Sequence, residues 1–527
     1  STQAERRTVN SETKFVTAAL VLVTVLYIFS LSVPLFGDSL GYGYSTTRWI
    51  RENGFTPFAA GTDRGEQAMG HPTLFFWMWA LLSGVLGETM WVARLLPAIA
   101  TFMSIWGMYR LGRLLSCEMA GWFSALALLV SPLFVTQAMR PMPESAVVAA
   151  VVWSLYFYAG KRYIAAVIIS ALAVIFREQA IFLPASYFIA ELFQTGFKKP
   201  VRLVLFASPL LVIVVTGLIN SAVNGYFFYP TYVGAGSQLE SHWFANRLRL
   251  FGSHVLAEDF RWLPVTAALA GMIRGKGRDK DRRLLPFVFI LLFPALFSPP
   301  DRIAFLGFVA VVLAAYFIRE RLVLSRLHTV FAVFPVLLVM FHVLIVLVSP
   351  DSALNLFRYV MPAYAVIIPG AVVMLFRYYP KETAVVISSV FVIATAVANR
   401  SQHYDYQPDT SLSVVGPLLD YKQAAQYGIS LGDTMLVSGI DRAYFESSEC
   451  GVADSAVPAR SILGEQPLLE QGVSYTLVVS SFMLAQGNIA ITEALVPPGS
   501  EIRLLREPRW KNGTNTVEIY RVEPMNP

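Results

Sequence analysis

The chain has 527 residues, of which 55% are hydrophobic and 14% are charged, and its mean hydropathy is +0.55. This composition is too apolar for a soluble globular protein, and several membrane-spanning helices are the economical explanation. The net charge of +6 does not indicate a nucleic-acid-binding face. The basic residues stand mainly in short runs between apolar segments, where they act as topology signals and contact anionic lipids. We expect the two cysteines, Cys117 and Cys450, on opposite sides of the membrane, which argues against a disulfide or a cysteine-based metal site.

The first apolar run, residues 15–36, carries no charge and matches the roughly 20 residues that a bilayer-spanning helix requires. Arg6, Arg7 and Lys14 precede it, and positive charge on that side keeps the N-terminus in the cytoplasm. Asp38, the first acid after the run, therefore emerges on the extracytoplasmic face. The run is longer than a signal-peptide core and lacks an A-x-A-like cleavage site after it, so we expect a retained span.

Twelve further apolar segments follow, and together they predict an α-helical polytopic membrane protein with about 13 transmembrane helices. They are residues 90–109, 119–135, 145–159, 163–176, 180–197, 203–223, 262–272, 284–297, 303–318, 327–348, 359–376 and 384–398. An odd number of spans places the two termini on opposite sides of the membrane. The positive-inside rule supports this topology independently, because basic residues fall in every second loop. These residues lie at 110–113, 161–162, 198–202, 274–283, 319–326 and 377–381.

One apolar stretch, residues 72–86, does not fit as a span, because inserting it would place the basic residues 110–113 outside. We expect this stretch to lie in the membrane interface or to re-enter the membrane. The first external loop, residues 37–89, is then long and follows the membrane surface. A second large external loop, residues 224–261, mixes Tyr, Gly, His and Trp, as a loop that covers a substrate would.

The composition changes near residue 400 to that of a soluble domain, with alternation and turn signals in place of long apolar runs. We therefore predict a transmembrane catalytic domain at residues 1–399 and a small extracytoplasmic α/β domain at residues 400–527. Its predicted elements are a helix at 417–427, strands at 434–438 and 475–480, and a hairpin at 503–521 that turns at Asn512 and Gly513. Asn512 to Thr514 also form a glycosylation sequon, but the hairpin turn is the favoured explanation.

No P-loop and no G-x-G-x-x-G after a strand occurs in the sequence, which argues against nucleotide chemistry inside the cell. The remaining candidate groups stand at the external ends of predicted helices. Charged residues at membrane depth are costly, and they are usually paired or functional. Acids and arginines that converge on one face suggest a site that binds an anionic headgroup and activates a hydroxyl. The candidates are Asp38, His71, Arg140, Glu144, Arg177, Glu178, Asp301, Arg302, Asp351 and Arg358.

The order of several short motifs resembles the GT-C integral-membrane glycosyltransferases. Asp38 follows the first span, His71-Pro72 closes the first loop, and residues 91–97 read WVARLLP. Residues 140–144 (RPMPE) and 358–362 (RYVMP) fit the same plan, so the resemblance covers most of the predicted membrane domain. The pattern is most similar to that of the protein O-mannosyltransferases and the bacterial lipid A aminoarabinose transferases.

Enzymes of this type move a sugar from a polyprenyl-phosphate carrier to an acceptor outside the cytoplasm, and a loop aspartate deprotonates the acceptor hydroxyl. The resemblance implies that Asp38 is the catalytic base. From their positions at the external helix ends, we predict substrate binding for His71, Arg140, Glu144, Arg177, Glu178 and Arg358. A positioned base contributes about 10² to 10⁴ in rate, and arginines stabilise the departing lipid phosphate. By the same analogy no metal and no cofactor is needed beyond the lipid-phosphate-linked sugar.

The chain also departs from its relatives. It has Asp38-Ser39 where the mannosyltransferases have Asp-Glu, and Gly70-His71-Pro72 where the aminoarabinose transferases have Glu-Lys-Pro. The sugar and the acceptor, which could be a lipid, a glycan or a protein, therefore stay open. Simpler structural explanations also exist, since Arg177 and Glu178 could merely pair with each other.

The sequence thus predicts an inverting, polyprenyl-phosphate-sugar-dependent glycosyltransferase of the bacterial inner membrane. One alternative is a transporter or flippase of lipid-linked glycans, which would more often have two related halves of helices; we find no internal repeat. Another is an oligosaccharide ligase or polymerase, which shares the lipid donor but favours larger external loops among the later helices. The sequence does not indicate an oligomeric state.

Overall fold

The computed structural model describes residues 3–36, 38–56, 71–227, 251, 255, 259–274, 326–344, 357–398, 415–430, 434–437, 445, 447–453, 459–461, 475–480, 500–506 and 517–524. The helices of the first half are α1 (Gln3–Ser30), α2 (Ser45–Glu52), α3 (Leu74–Leu86), α4 (Met90–Leu115), α5 (Glu118–Leu129), α6 (Pro132–Ala138), α7 (Glu144–Ala159), α8 (Tyr163–Phe176), α9 (Phe182–Thr195), α10 (Pro200–Ala207) and α11 (Leu210–Asn224). The later helices are α12 (Trp262–Arg274), α13 (Arg326–Leu344), α14 (Phe357–Val360), α15 (Tyr364–Tyr378), α16 (Lys381–Ala398) and α17 (Val415–Ser430).

The predicted apolar segments within the described residues form helices. By length and composition, four helices in this part of the chain could cross a membrane, or up to six if each bent pair is one span. The molecule is therefore an integral membrane protein. The predicted spans at 284–297 and 303–318, and most of the second external loop, lie outside the described residues. The total of about 13 spans stays a prediction.

Two of the predicted single helices are broken in the structure. Helices α5 and α6 replace the segment at 119–135 and meet at 71°, and α10 and α11 replace the segment at 203–223 and meet at 40°. The first break has a clear cause, because Pro132 lacks an N–H and disfavours helical backbone at Ser131. Ser131 is accordingly extended, with φ −64° and ψ 121°, and Pro132 begins α6.

Helix α4 lies at the centre of the first half, where it packs against α1, α5 and α7, and α7 packs in turn against α8. Helix α7 is apolar on nearly all sides and is buried along most of its length, as expected for a core helix. Helices α4 and α5 approach closely at Gly121. A Cβ atom at this position would stand 2.5 Å from the carbonyl oxygen of Tyr109, so only glycine fits there.

The stretch predicted to lie in the interface forms α3, which begins at Leu74 and ends at Leu86. Phe75, Phe76 and Trp79 are buried in the protein core, so one face of α3 packs on protein. Its depth in the membrane stays a prediction.

The C-terminal residues form a sheet of strands β1 (Thr434–Val437), β2 (Ala459–Ser461), β3 (Tyr475–Ser480), β4 (Ser500–Arg506) and β5 (Val517–Pro524). Their order is β2-β1-β3-β5-β4, with β1 parallel to both of its neighbours and β5 antiparallel to β3 and β4. Helix α17 packs against β3 and β5. The predicted helix and strands are thus confirmed, whereas the hairpin turn at Asn512 and Gly513 lies outside the described residues. The extracytoplasmic position of this domain stays a prediction.

Candidate functional site

The segment between α1 and Asp38 is irregular and is held by a buried arginine. Helix α1 ends at Ser30, and residues 31–36 lead to Asp38. Arg94 on α4 donates from Nη2 to the carbonyl oxygens of Val33, at 2.8 Å, and of Pro34, at 3.2 Å. We call residues 31–36 the Asp38 loop. Its backbone is fixed by the helix core, although it has no regular hydrogen-bonding pattern of its own.

Beyond this loop, Ser39 begins a π-helical turn that ends at Tyr44. The Ser39 hydroxyl donates to the Phe36 carbonyl oxygen at 2.6 Å, and its oxygen accepts the Phe36 N–H at 3.1 Å. This reciprocal pair closes a tight turn around Asp38, which fixes the point from which the carboxylate projects.

Asp38 forms an ion pair with Arg358, which is 320 positions away in the sequence. The Arg358 side chain is only 2% exposed, whereas that of Asp38 is 44% exposed. Arg358 Nε also lies 3.5 Å from Glu144 Oε1, and Arg358 Nη2 donates to the Tyr359 hydroxyl at 2.9 Å. One guanidinium therefore bridges two carboxylates that come from the first loop and from α7.

Glu144 begins α7, where the positive end of the helix dipole favours a carboxylate. Its Oε1 atom lies 3.9 Å from Nη2 of Arg177. Arg177 follows α8 in an extended conformation, with φ −158°, and its guanidinium stacks over the Tyr359 ring at 4.6 Å. Within the part of the chain that the structure describes, Arg177 Nε and Nη1 have no hydrogen-bond partner. Arg177 is thus a buried cation with unused donors.

Glu178 and His71 form a second pair beside Arg177. Glu178 Oε1 lies 2.7 Å from His71 Nδ1, and the His71 ring meets Tyr42 edge to face at 6.1 Å. Burial alone would raise the pKa of Glu178, but interactions with His71 and the charge of Arg177 outweigh it and lower the pKa to about 2. Glu178 is therefore a stable anion that holds His71 at the edge of the site.

Arg140 lies in the turn between α6 and α7 and is fully buried. Its Nη2 atom donates to the Phe36 carbonyl oxygen at 3.3 Å, and its guanidinium stands 4.9 Å from the centre of the Phe36 ring. Arg140 thus supports the end of the Asp38 loop and adds positive charge near Asp38.

The neighbouring arginines keep the Asp38 carboxyl group ionised. Burial acts to raise its pKa, but the charges of Arg358, Arg140 and Arg177 together outweigh that effect and lower the pKa to about 2. The carboxylate is consequently ionised throughout the physiological range of pH.

The structure brings all seven candidate site residues into one cluster, although they come from several separate helix ends and loops. Arg177 and Glu178 do not simply pair with each other, because each meets a partner on another element, Glu144 and His71 respectively. Three further candidates, Asp301, Arg302 and Asp351, lie outside the described residues.

Two aromatic residues of the cluster are missing from the predicted set. Tyr359 lies under the guanidinium groups of Arg177 and Arg358. His342 on α13 stacks on Tyr359 with ring centres 6.0 Å apart, and its Nδ1 lies 2.7 Å from the Leu338 carbonyl oxygen. An ionisable residue inside an apolar span is a signal that could have identified His342. Tyr359 has no such signal beyond its place next to Arg358.

This arrangement suits an anion with several oxygens. Three buried arginines converge, and planar guanidinium groups donate pairs of hydrogen bonds to phosphate. A neighbouring carboxylate supplies a proton acceptor. No group of three or more His, Cys, Asp or Glu side chains that could hold a metal ion occurs among the described residues.

Residues 70–219 match the family model described as dolichyl-phosphate-mannose-protein mannosyltransferase. The resemblance to the GT-C glycosyltransferases is thereby confirmed for this part of the chain. The matched part contains His71, Arg140, Glu144, Arg177 and Glu178. Asp38 and Arg358 lie outside it. A comparison with curated protein sequences gives no match.

Among solved structures, the chain is similar to ArnT from Cupriavidus metallidurans bound to undecaprenyl phosphate, at 14% identity and a TM-score of 0.49, over 96% of this chain and 98% of that one. It is also similar to the Archaeoglobus fulgidus oligosaccharyltransferase, at 16% identity and a TM-score of 0.44, over 84% of this chain and 62% of that one.

Proposed function

We propose that the chain is a membrane glycosyltransferase that moves a sugar from a polyprenyl-phosphate carrier to an acceptor on the extracytoplasmic face. The observation that carries this proposal is the position of Arg358, whose guanidinium lies between Asp38 and Glu144 in a cluster of buried arginines. The match of residues 70–219 to a mannosyltransferase model supports the same class of reaction.

In this proposal the arginines bind the donor phosphate. Arg177 is the strongest candidate, because two of its nitrogen atoms have no hydrogen-bond partner within the described residues. A phosphate there would accept donors that are otherwise buried without a partner, which is a costly condition. Glu144 and Tyr359 keep the guanidinium groups in place.

Asp38 acts as the general base of the proposed reaction. The acceptor oxygen attacks the anomeric carbon while the bond from that carbon to the phosphate oxygen breaks, so the configuration inverts. The acceptor proton passes to Asp38, and the polyprenyl phosphate leaves with the electron pair. Arginines next to the departing oxygen stabilise the charge that develops there.

The low pKa of Asp38 adds a condition to this mechanism. A carboxylate with a pKa of about 2 is a weak base at neutral pH. A phosphate that binds Arg358 competes with Asp38 for the same guanidinium, which weakens the ion pair and raises the pKa of Asp38. Donor binding thus prepares the base, and we propose that the donor binds before the acceptor is deprotonated.

A transporter or flippase of lipid-linked glycans is the second candidate, and the same low pKa is the observation that favours it. Such a protein needs cationic groups for the phosphate but no base. The two candidates differ in one respect that can be measured, which is whether the sugar leaves its lipid carrier.

The proposal includes the topology, with a catalytic domain at residues 1–399 and an extracytoplasmic domain at 400–527. We predict that a reporter fused after Arg400 is active outside the cytoplasm, because the basic loops alternate so regularly. A reporter fused within residues 274–283 should be active inside. Activity of both fusions on the same side of the membrane would refute the topology and the location of Asp38.

The function is tested by mass spectrometry of lipid-linked sugars and surface glycans in a deletion strain. The transferase proposal predicts that one polyprenyl-phosphate sugar accumulates and that one glycan, lipid or protein lacks that sugar. A loss of whole lipid-linked oligosaccharides from the outer leaflet, without a missing single sugar, would favour the flippase.

A further inference from the structure

We propose that residues 447–453, which come from the C-terminal domain, position the Asp38 loop for catalysis, and that Glu449 is the residue that holds them there. This inference rests on the proposed function, since it assigns a role to Asp38. We call residues 447–453 the docking segment.

The docking segment is hydrogen-bonded directly to the Asp38 loop. The Leu35 N–H donates to the Cys450 carbonyl oxygen at 3.0 Å. The next residue, Gly451, has a φ of +82°, and a Cβ atom there would lie 3.3 Å from Pro34 Cα and against the Met90 side chain. Glycine therefore permits both the left-handed backbone and the close approach to the Asp38 loop.

Glu449 anchors this segment in the helical domain. Its side chain is fully buried, and Oε2 lies 2.6 Å from Nη1 of Arg51 on α2. Its Oε1 atom accepts the hydroxyl of Ser83 on α3. A buried carboxylate is retained only where such partners exist, and removing it would leave Arg51 without its buried partner.

Neighbouring contacts extend the same interface. Ser448 Oγ donates to the Glu88 carbonyl oxygen at 2.5 Å, just before α4. On α17, Gln426 Nε2 donates to the Val452 carbonyl oxygen at 3.2 Å, and Lys422 Nζ reaches the Ser32 carbonyl oxygen at 3.5 Å. The C-terminal domain thus meets the Asp38 loop through its helix as well as through the docking segment.

The Asp38 loop is consequently held from two sides. Arg94 binds the carbonyl groups of Val33 and Pro34 from within the helical core, and Cys450 binds the N–H of Leu35 from the C-terminal domain. Loss of one side leaves the fold of the helical core in place but frees the backbone that carries Asp38. A displacement of about 1 Å at a catalytic group can reduce the rate by about 10²-fold.

The arginines that bind the phosphate do not depend on the docking segment, because they stand on α7, α8 and α14 or in the turns next to them. Release of the segment should therefore lower kcat without weakening the affinity for the lipid phosphate. This separation distinguishes positioning of Asp38 from a general loss of structure.

The test compares Glu449→Ala with Glu52→Ala in the full-length protein. Glu52 is the matched control, because it is an acid on the same helix as Arg51 but is 58% exposed and pairs with Arg48. Both variants are made in a Cys117→Ser background, so that Cys450 is the single cysteine. The buried Cys450 thiol then reports docking through its rate of labelling by a maleimide. Transfer kinetics and binding of polyprenyl phosphate are measured on the same preparations.

We expect Glu449→Ala to accelerate labelling of Cys450 by about tenfold or more and to lower kcat by about 10- to 100-fold. Polyprenyl-phosphate affinity should not fall by more than about twofold, and Glu52→Ala should match the parent in all three measurements. Glu449→Gln retains the shape of the side chain and a hydrogen bond to Ser83. Its kcat should therefore lie between that of Glu449→Ala and that of the parent.

Rapid labelling of Cys450 with unchanged kcat would overturn the positioning role, and so would unchanged labelling in Glu449→Ala. A variant that loses lipid-phosphate binding together with kcat would also contradict it. A parent protein that neither transfers sugar nor binds polyprenyl phosphate is a different result, because it overturns the proposed function itself.

Discussion

Asp38→Asn should lower turnover by about 10² to 10⁴ while the protein still binds its lipid donor. The substitution removes the carboxylate with almost no change in volume, and Arg358 keeps Glu144 as a partner. Donor affinity should be unchanged or higher, because the phosphate no longer competes with Asp38 for Arg358. The measurement is sugar transfer from a purified polyprenyl-phosphate donor into acceptor-containing membranes, with donor binding followed in parallel.

Glu52→Gln is the control for this experiment, since Glu52 is an exposed acid of α2. Replacement of such a surface acid changes stability by about 0.5 kcal/mol or less and should leave turnover unchanged. If Asp38→Asn retained turnover within a few-fold of the parent, Asp38 would not be the base, and the flippase would become the better explanation.

Arg358→Gln should reduce kcat/KM by about 10² to 10³, because it removes a donor that stabilises the departing phosphate. It should also weaken donor binding, unlike Asp38→Asn. Arg358→Lys should restore only part of the activity, since lysine keeps the charge but lacks the planar pair of donors. Arg48→Gln, which changes an exposed arginine of α2, is the matched control.

Arg358→Gln should also change how the reaction rate depends on pH. In the parent without donor the pKa of Asp38 is about 2, so kcat/KM, which reports the free enzyme, does not fall at mildly acidic pH on account of Asp38. Without Arg358 the carboxylate loses its main compensating positive charge, so the pKa of Asp38 rises. The acidic limb of the kcat/KM profile should therefore move to higher pH. An acidic limb at the same pH in Arg358→Gln would contradict the assigned role of the pair.

Much of the helical architecture follows from the sequence because apolar length and charge alternation are local signals. The segment at 163–176, for example, corresponds to a single helix with the same bounds, Tyr163–Phe176. Helix breaks are harder to predict, because a proline such as Pro132 can begin a new helix or bend an old one. Tertiary packing decides between these outcomes, as the 71° bend after Leu129 illustrates.

The members of the candidate site could be predicted from the positions of charged residues at helix ends, but their pairing could not. Arg358 has Asp351 as its nearest acid in the sequence, yet it binds Asp38, which is 320 positions away. His342 lies within an apolar helix and not at an external helix end, so the pattern of charged helix ends does not include it. The contact of Glu449 with Arg51 joins two domains and has no local signature in either segment.

The central claim is that the buried arginine cluster recognises a lipid phosphate. The most direct measurement is the affinity of the purified protein for a polyprenyl phosphate and for the polyprenol of equal chain length, in the same detergent. Hydrogen bonds to a charged group contribute about 1.5 to 3 kcal/mol each, so we predict that the phosphate binds about 10- to 100-fold more tightly than the alcohol. Arg177→Ala should remove most of this preference. Equal affinity for the two lipids in the parent would contradict the account.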